Sequence, residues 1–157
     1  KHTMSFNPEQ FMNSVLNDAN STSIPLCPPG EYVGNITDVN VESGTISKGD
    51  KAGQPWVKLN VQLETSDAAA LAGTQMTKRK VRAGIMLDVN GEGNLEMGEG
   101  RNITLGRLRE AVGLNQKGAP FAFSMLPGRS TRFVVSHRVD RDDAAKFYED
   151  VKAFRAL

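Results

Sequence analysis

Residues 55–65 read PWVKLNVQLET, and their alternation decides the fold. Val57, Leu59, Val61 and Leu63 recur at every second position, with Trp56, Lys58, Asn60 and Gln62 between them. A period of two places the first set on one face of a strand and the second set on the other. One aliphatic and one polar face is what a half-buried antiparallel sheet requires. The stretch therefore predicts a strand with its aliphatic side in a core and its Trp–Lys–Asn–Gln side outward.

The pattern continues on both sides. Residues 77–90 alternate again, with Val81, Ala83, Ile85, Leu87 and Val89 inward and Lys80, Arg82 and Met86 outward. Upstream, residues 31–41 (EYVGNITDVNV) read as a strand whose apolar parity switches from Tyr32 and Ile36 to Val39 and Val41, which predicts a bulge or coil. Residues 42–54 are expected to be a polar loop, and 66–76 one or two helical turns. After a Gly- and Glu-rich loop over 91–101, residues 102–113 predict a helix. Asn102 is its expected cap, Leu105, Leu108 and Val112 its stripe, and Gly113 its end. Residues 120–126 and 129–139 read as two strands of a hairpin around Pro127-Gly128. Residues 142–157 fit a helix through Ala144, Phe147, Tyr148, Val151 and Phe154, and 147–155 also alternates as a strand. Near the start, 7–19 fits a short helix, with Asn7 as cap, Pro8 in the first turn and Phe11, Val15 and Leu16 on one face. Residues 20–30, rich in proline, form a linker.

Strand, strand, strand, helix, strand, strand is the layout of an OB-fold, a small, partly open barrel. The expected fold class is thus mainly β: an OB-fold-like five-stranded barrel with a helix between strands three and four, plus a short N-terminal helix. Strands this short bury a core by curling, and the helix plugs one end.

A chain of 157 residues suits one domain with a real core. The expected division is an added tag at 1–3 ahead of Met4, a helical extension and linker over 4–23, and the barrel over 24–157. No stretch approaches the ~20 apolar residues of a membrane helix, and the opening residues do not read as a signal peptide. Cys27 is the only cysteine, which excludes an internal disulfide and a cysteine zinc site and points to a reducing cytoplasm. The net charge of +1 conceals strong local imbalance. Residues 77–83 (TKRKVRA) hold four basic residues and no acid, 84–100 hold four acids and no base, and 101–141 hold eight bases and two acids. Two basic segments around an acidic one form a footprint that attracts polyanions.

Three stretches carry a family likeness: Pro28-Pro29-Gly30-Glu31-Tyr32-Val33, then Lys48-Gly49-Asp50-Lys51-Ala52-Gly53-Gln54-Pro55-Trp56-Val57, then Gly100-Arg101-Asn102 with Leu105-Gly106-Arg107-Leu108-Arg109. Over roughly 24–157 the chain resembles small replication-associated proteins of tailed bacteriophages, which are similar to OB-fold single-stranded-DNA-binding proteins. The resemblance implies a phage chain that coats single-stranded DNA in the host cytoplasm, with 147–155 as a strand. Many such binders end in an acidic tail that recruits partners. This chain ends Lys152-Ala153-Phe154-Arg155-Ala156-Leu157, so no recruitment role is carried over.

Single-strand binding needs cations for phosphates and flat faces for bases. OB-folds bind on the face of strands two and three, flanked by the loops joining strands one to two and four to five. That face offers Trp56, Lys58, Lys80 and Arg82, with Lys78 and Arg79 at the start of the third strand. The first loop brings Lys48 and Lys51 and the second Arg129, while Arg132 and Arg138 share outward parity on the strand 129–139. The expected function is sequence-nonspecific binding of single-stranded DNA in phage replication or recombination, through a basic face with aromatic stacking. Replication or recombination proteins are the further partners this implies. The competing class is a protein-interaction module that binds a host or phage replication protein, with 7–19 as a docking helix.

Enzymatic chemistry is not expected. His137 is the one histidine after Met4, Cys27 has no nucleophile context, and no Walker A loop is present. Residues 88–99 (DVNGEGNLEMGE) match a calcium-loop template at positions one, three, six and twelve. Position five is Glu, a strand pattern enters, and Gly98 and Gly100 interrupt any exiting helix. The expectation is no specific calcium binding and no cofactor. Asp88, Glu92, Glu96 and Glu99 lack a nearby lysine at nuclease spacing.

Overall fold

The alternating stretch forms a strand with the bounds its periodicity predicts. The computed structural model describes residues 5–157; the expected tag at 1–3 and the start at Met4 lie outside the described residues. In chain order the elements are α1 (Pro8–Met12), β1 (Gly30–Thr45), β2 (Pro55–Thr65), β3 (Arg79–Leu87), α2 (Ile103–Ala111), a 3₁₀ turn (Phe123–Met125), β4 (Ser130–Val139) and β5 (Phe147–Arg155). The five strands make one antiparallel sheet in the order β3-β2-β1-β4-β5.

The period-two faces sort as their chemistry demands. Leu59, Val61, Leu63, Val81, Ala83 and Ile85 are buried, joined by Phe133 and Val135 of β4 and Val151 and Phe154 of β5. Each such aliphatic side chain taken from water contributes roughly 1.5–3 kcal/mol. The stripe Leu105, Leu108 and Val112 is buried too, and α2 lies against β5 and β3. The parity switch in β1 is a break in register between Ile36 and Asp38 against β2. β3 and β5, the ends of the strand order, approach within 8 Å between Cα atoms, yet among the described residues no β-ladder joins them. The sheet curls without closing.

Several expectations are corrected. Residues 120–126 are not a strand: between Pro120 and Pro127 the chain makes the 3₁₀ turn, and Phe121 and Phe123 meet edge to face at 5.5 Å, half-buried on the core. Ile36 instead receives the chain at this point. Its carbonyl accepts from Gly128 N–H at 2.7 Å, and its N–H donates to Arg129 O at 2.8 Å. The expected hairpin around Pro127-Gly128 is therefore absent, β4 pairs with β1, and the β4–β5 hairpin turns at 140–146. The strand alternative for 147–155 is the one realised. β1 runs on to Thr45, where a polar sequence is held by hairpin pairing to Pro55. Residues 66–76 are turns without a helix. The helix expected over 7–19 stops at Met12, because Phe11, Val15 and Leu16 are all exposed and no packing supports a longer one. Asn102 precedes α2 in the left-handed region at φ 50°, and its side chain does not cap the helix. Among the described residues no helix is long and apolar enough to cross a membrane.

Candidate nucleic-acid interface

The register of β2 on β3 sets the outer face. Lys58 lies opposite Met86, Asn60 opposite Gly84, Gln62 opposite Arg82 and Glu64 opposite Lys80. Gly84 keeps the middle of this face low. A Cβ there would sit 2.6 Å from Lys58 Cε and 3.2 Å from its Nζ, so the lysine stem lies across the glycine. A groove of about 340 Å³ opens here, lined by Lys58 and Asn60 of β2, Arg82 and Gly84 of β3, Arg138 of β4, Tyr148 and Glu149 of β5, and Leu26. A second hollow of about 200 Å³ shares Asn60 and Arg82 with it and adds Asn40, Gln62 and Lys80. The two run together across the outer face.

Tyr148 is the groove's aromatic. The Arg138 guanidinium stands 4.9 Å from its ring centroid and the Lys146 ammonium 5.2 Å. Its hydroxyl is the main cause holding the Asp140 carboxyl below the usual carboxylate range. Asp140 Oδ1 in turn accepts the N–H groups of Asp142 at 2.8 Å and Asp143 at 3.1 Å. Asp140 thus caps the turn between β4 and β5 beside the ring.

Charge is sorted across the face. Lys58, Lys80, Arg82 and Arg138 make no ion pair with any described residue. On the β1 side stand Asp38, opposite Gln62, and Glu42, opposite Lys58. Of the charged residues that line the two hollows, Glu149 is paired with Arg79, which leaves these four cations as the unpaired charges there.

The residues expected to bind fall into groups. Lys58 and Arg82 line the larger groove and Lys80 the smaller. Trp56 shares their face, half-buried, with its ring against Gly44 of β1: a Cβ at Gly44 would lie 2.6 Å from Trp56 Nε1. Lys48 and Lys51 are exposed in the β1–β2 turn. Lys78 is exposed and paired with Glu64 at 3.5 Å. Arg79 is a correction. It is 2% exposed, donates to Ala70 O at 3.2 Å and to Pro25 O, and stands 3.6 Å from Glu149. Its charge is spent inside the protein and does not face a ligand. Arg129 is exposed in the turn before β4 and not in the β4–β5 loop, because the strand expected before it does not form. Arg132 is exposed at the far end of β4 from Arg138, opposite Arg155.

Sequence reasoning left out Tyr148, Asn60 and the weight of Arg138. The signal for Tyr148 lay in the strand alternative for 147–155, which sets it opposite Arg138. Part of the acidic loop after β3 is tied up in its own hydrogen bonds. Asp88 and Asn102 exchange bonds at 2.7 and 2.8 Å, and Asn90 Oδ1 accepts from Glu92 and Asn94, both at 3.0 Å. Among the described residues no three His, Cys, Asp or Glu side chains gather to hold a metal. In comparisons with known proteins, no family model and no curated protein matches the chain.

Proposed function

We propose that the chain is an OB-fold-like binder of single-stranded DNA that engages the strand along the outer face of β2 and β3 and across to β4 and β5. The observation that carries this reading is the convergence of Lys58, Arg82 and Arg138, from three different strands, on one groove with Tyr148. Unpaired cations supply the phosphate attraction, and an aromatic ring supplies stacking that any base accepts. The strand order, with α2 between β3 and β4 in the chain, supports the OB-like reading. Hollows of about 340 and 200 Å³ are large enough to take single bases turned toward the protein. The likeness to phage replication-associated proteins gives the proposed setting, replication or recombination in a host cytoplasm.

The deciding experiment is fluorescence polarisation with labelled single-stranded DNA, duplex DNA and RNA at several salt concentrations. Single-stranded DNA is expected to bind more tightly than duplex, with affinity falling steeply as salt rises. Absence of binding at low salt transfers the proposal to the interaction-module reading. That second reading has its own observation: Phe6, Phe11, Met12, Val15 and Leu16 are all exposed on the N-terminal arm, as a docking segment requires.

A further inference from the structure

Asn60 is 2% exposed, although its place on β2 is on the outer face. Its Nδ2 donates to Asn40 Oδ1 at 3.1 Å and to the Glu42 carboxylate. A carboxylate only accepts, so the amide is held with its NH₂ toward β1 and its oxygen turned the other way. That oxygen is the one buried side-chain polar atom among the described residues with no hydrogen-bond partner. It faces Gly84: a Cβ there would lie 3.8 Å from Asn60 Oδ1 and 3.2 Å from Lys58 Nζ. An unused acceptor and a cationic donor therefore meet over Gly84, and the flexible Lys58 stem that crosses the glycine is the cover an entering base displaces. Tyr148 and Arg82 line the same groove.

We propose that this is a base-reading subsite that favours nucleobases with an exocyclic amino group, cytosine above all, over thymine and uracil. The inference rests on the single-strand reading and deepens it. Cytosine offers an amino N–H to Asn60 Oδ1 and, beside it, ring acceptors to Lys58. Uracil and thymine carry a carbonyl oxygen where cytosine carries the amino group, which sets acceptor against acceptor. Their ring N–H lies recessed between two carbonyls that repel Asn60 Oδ1. The Asn60 NH₂ cannot rotate in to help, because Glu42 and Asn40 hold it. The preference is thus written into the sheet surface and not into a mobile loop.

The test compares oligo-dC with oligo-dU by fluorescence polarisation at one salt concentration and mildly alkaline pH, where cytosine is neutral. These differ only in the amino or carbonyl group and the ring proton it dictates. Oligo-dC is expected to bind about fivefold tighter or more, and oligomers of N4,N4-dimethylcytidine, which lack the donor, to bind like oligo-dU. Asn60→Ala is expected to equalise dC and dU, and Gly84→Val, which wedges against the Lys58 stem and closes the approach to Asn60 Oδ1, to do the same. Equal, measurable affinity of the parent for dC and dU overturns the subsite while leaving single-strand binding in place. No binding to either overturns the functional reading itself. If Asn60→Ala does not fold, dC against the dimethylated oligomer decides the matter on the unaltered protein.

Discussion

The Arg79 guanidinium at the start of β3 and the Glu149 carboxylate on β5 stand 3.6 Å apart, bridging the two strands that the β-ladders leave unjoined. Residues just before β1 complete the bridge. Pro25 O accepts from Arg79, Cys27 N–H donates to Glu149, and Cys27 O lies 2.7 Å from His137 Nε2. The Arg79 side chain is 3% exposed and that of Glu149 22%. Removing the carboxylate leaves a buried charge without its counterion. Glu149→Ala is expected to destabilise the fold by about 3 kcal/mol in urea denaturation. A change below about 0.5 kcal/mol, the usual size for a surface substitution, would show that the bridge is ornamental.

Binding by the outer face separates into two measurable parts. Lys80→Ala with Arg82→Ala removes exposed cations, so the slope of log affinity against log salt is expected to flatten by about 0.7 for each phosphate lost. Tyr148→Ala removes the stacking surface and is expected to weaken binding about tenfold at an unchanged slope. Parent-like titrations from both folded variants place the ligand elsewhere.

Trp56 is expected to contribute less than Tyr148, because its ring already rests on Gly44. Trp56→Ala should weaken oligonucleotide binding by less than Tyr148→Ala does. Gly44→Val drives a side chain into the ring's position, so the tryptophan emission of this single-Trp chain should shift to the red. Unchanged emission in the folded variant contradicts the packing.

Burial pushes the Cys27 thiol above its usual range, while the Arg79 guanidinium pulls it down less strongly. The folded protein should therefore hold Cys27 as a neutral thiol at neutral pH. Iodoacetamide, which reacts with thiolate, should label the native chain far more slowly than the urea-unfolded chain. Equal rates in the two states rule out a sealed thiol.

The strands with strict alternation were legible because each apolar side chain was read against its own neighbours. β2 matches its expected bounds, and the parity switch in β1 marks the true register break. The misreadings share a cause. Phe121, Phe123 and Met125 alternate well enough for a strand, but a strand also needs a partner, and β1 is taken by β2 and β4. At the site, Lys58, Lys80 and Arg82 follow from parity alone. Arg79 does not, because its partners Pro25, Ala70 and Glu149 come from three separate stretches that only the fold brings together. Asn60 was outward by parity yet its amide is held by Asn40 and Glu42 of β1, which only the assembled sheet brings beside it.

β1 serves two partners in succession: Gly30–Asn35 pair with β4, Asn35–Thr45 with β2, and Asn35 itself faces both Glu64 and Ser130. This division sets an order in time. The meander β1–β2–β3 closes through short loops, whereas the pairing of Gly30 with Val135 must wait for a long stretch of chain to be gathered in. The first half can organise as soon as it is synthesised, leaving the early end of β1 as an unfilled template until β4 arrives. Core substitutions in the meander, such as Val61→Ala, should then slow folding, while Val151→Ala in β5 should chiefly hasten unfolding.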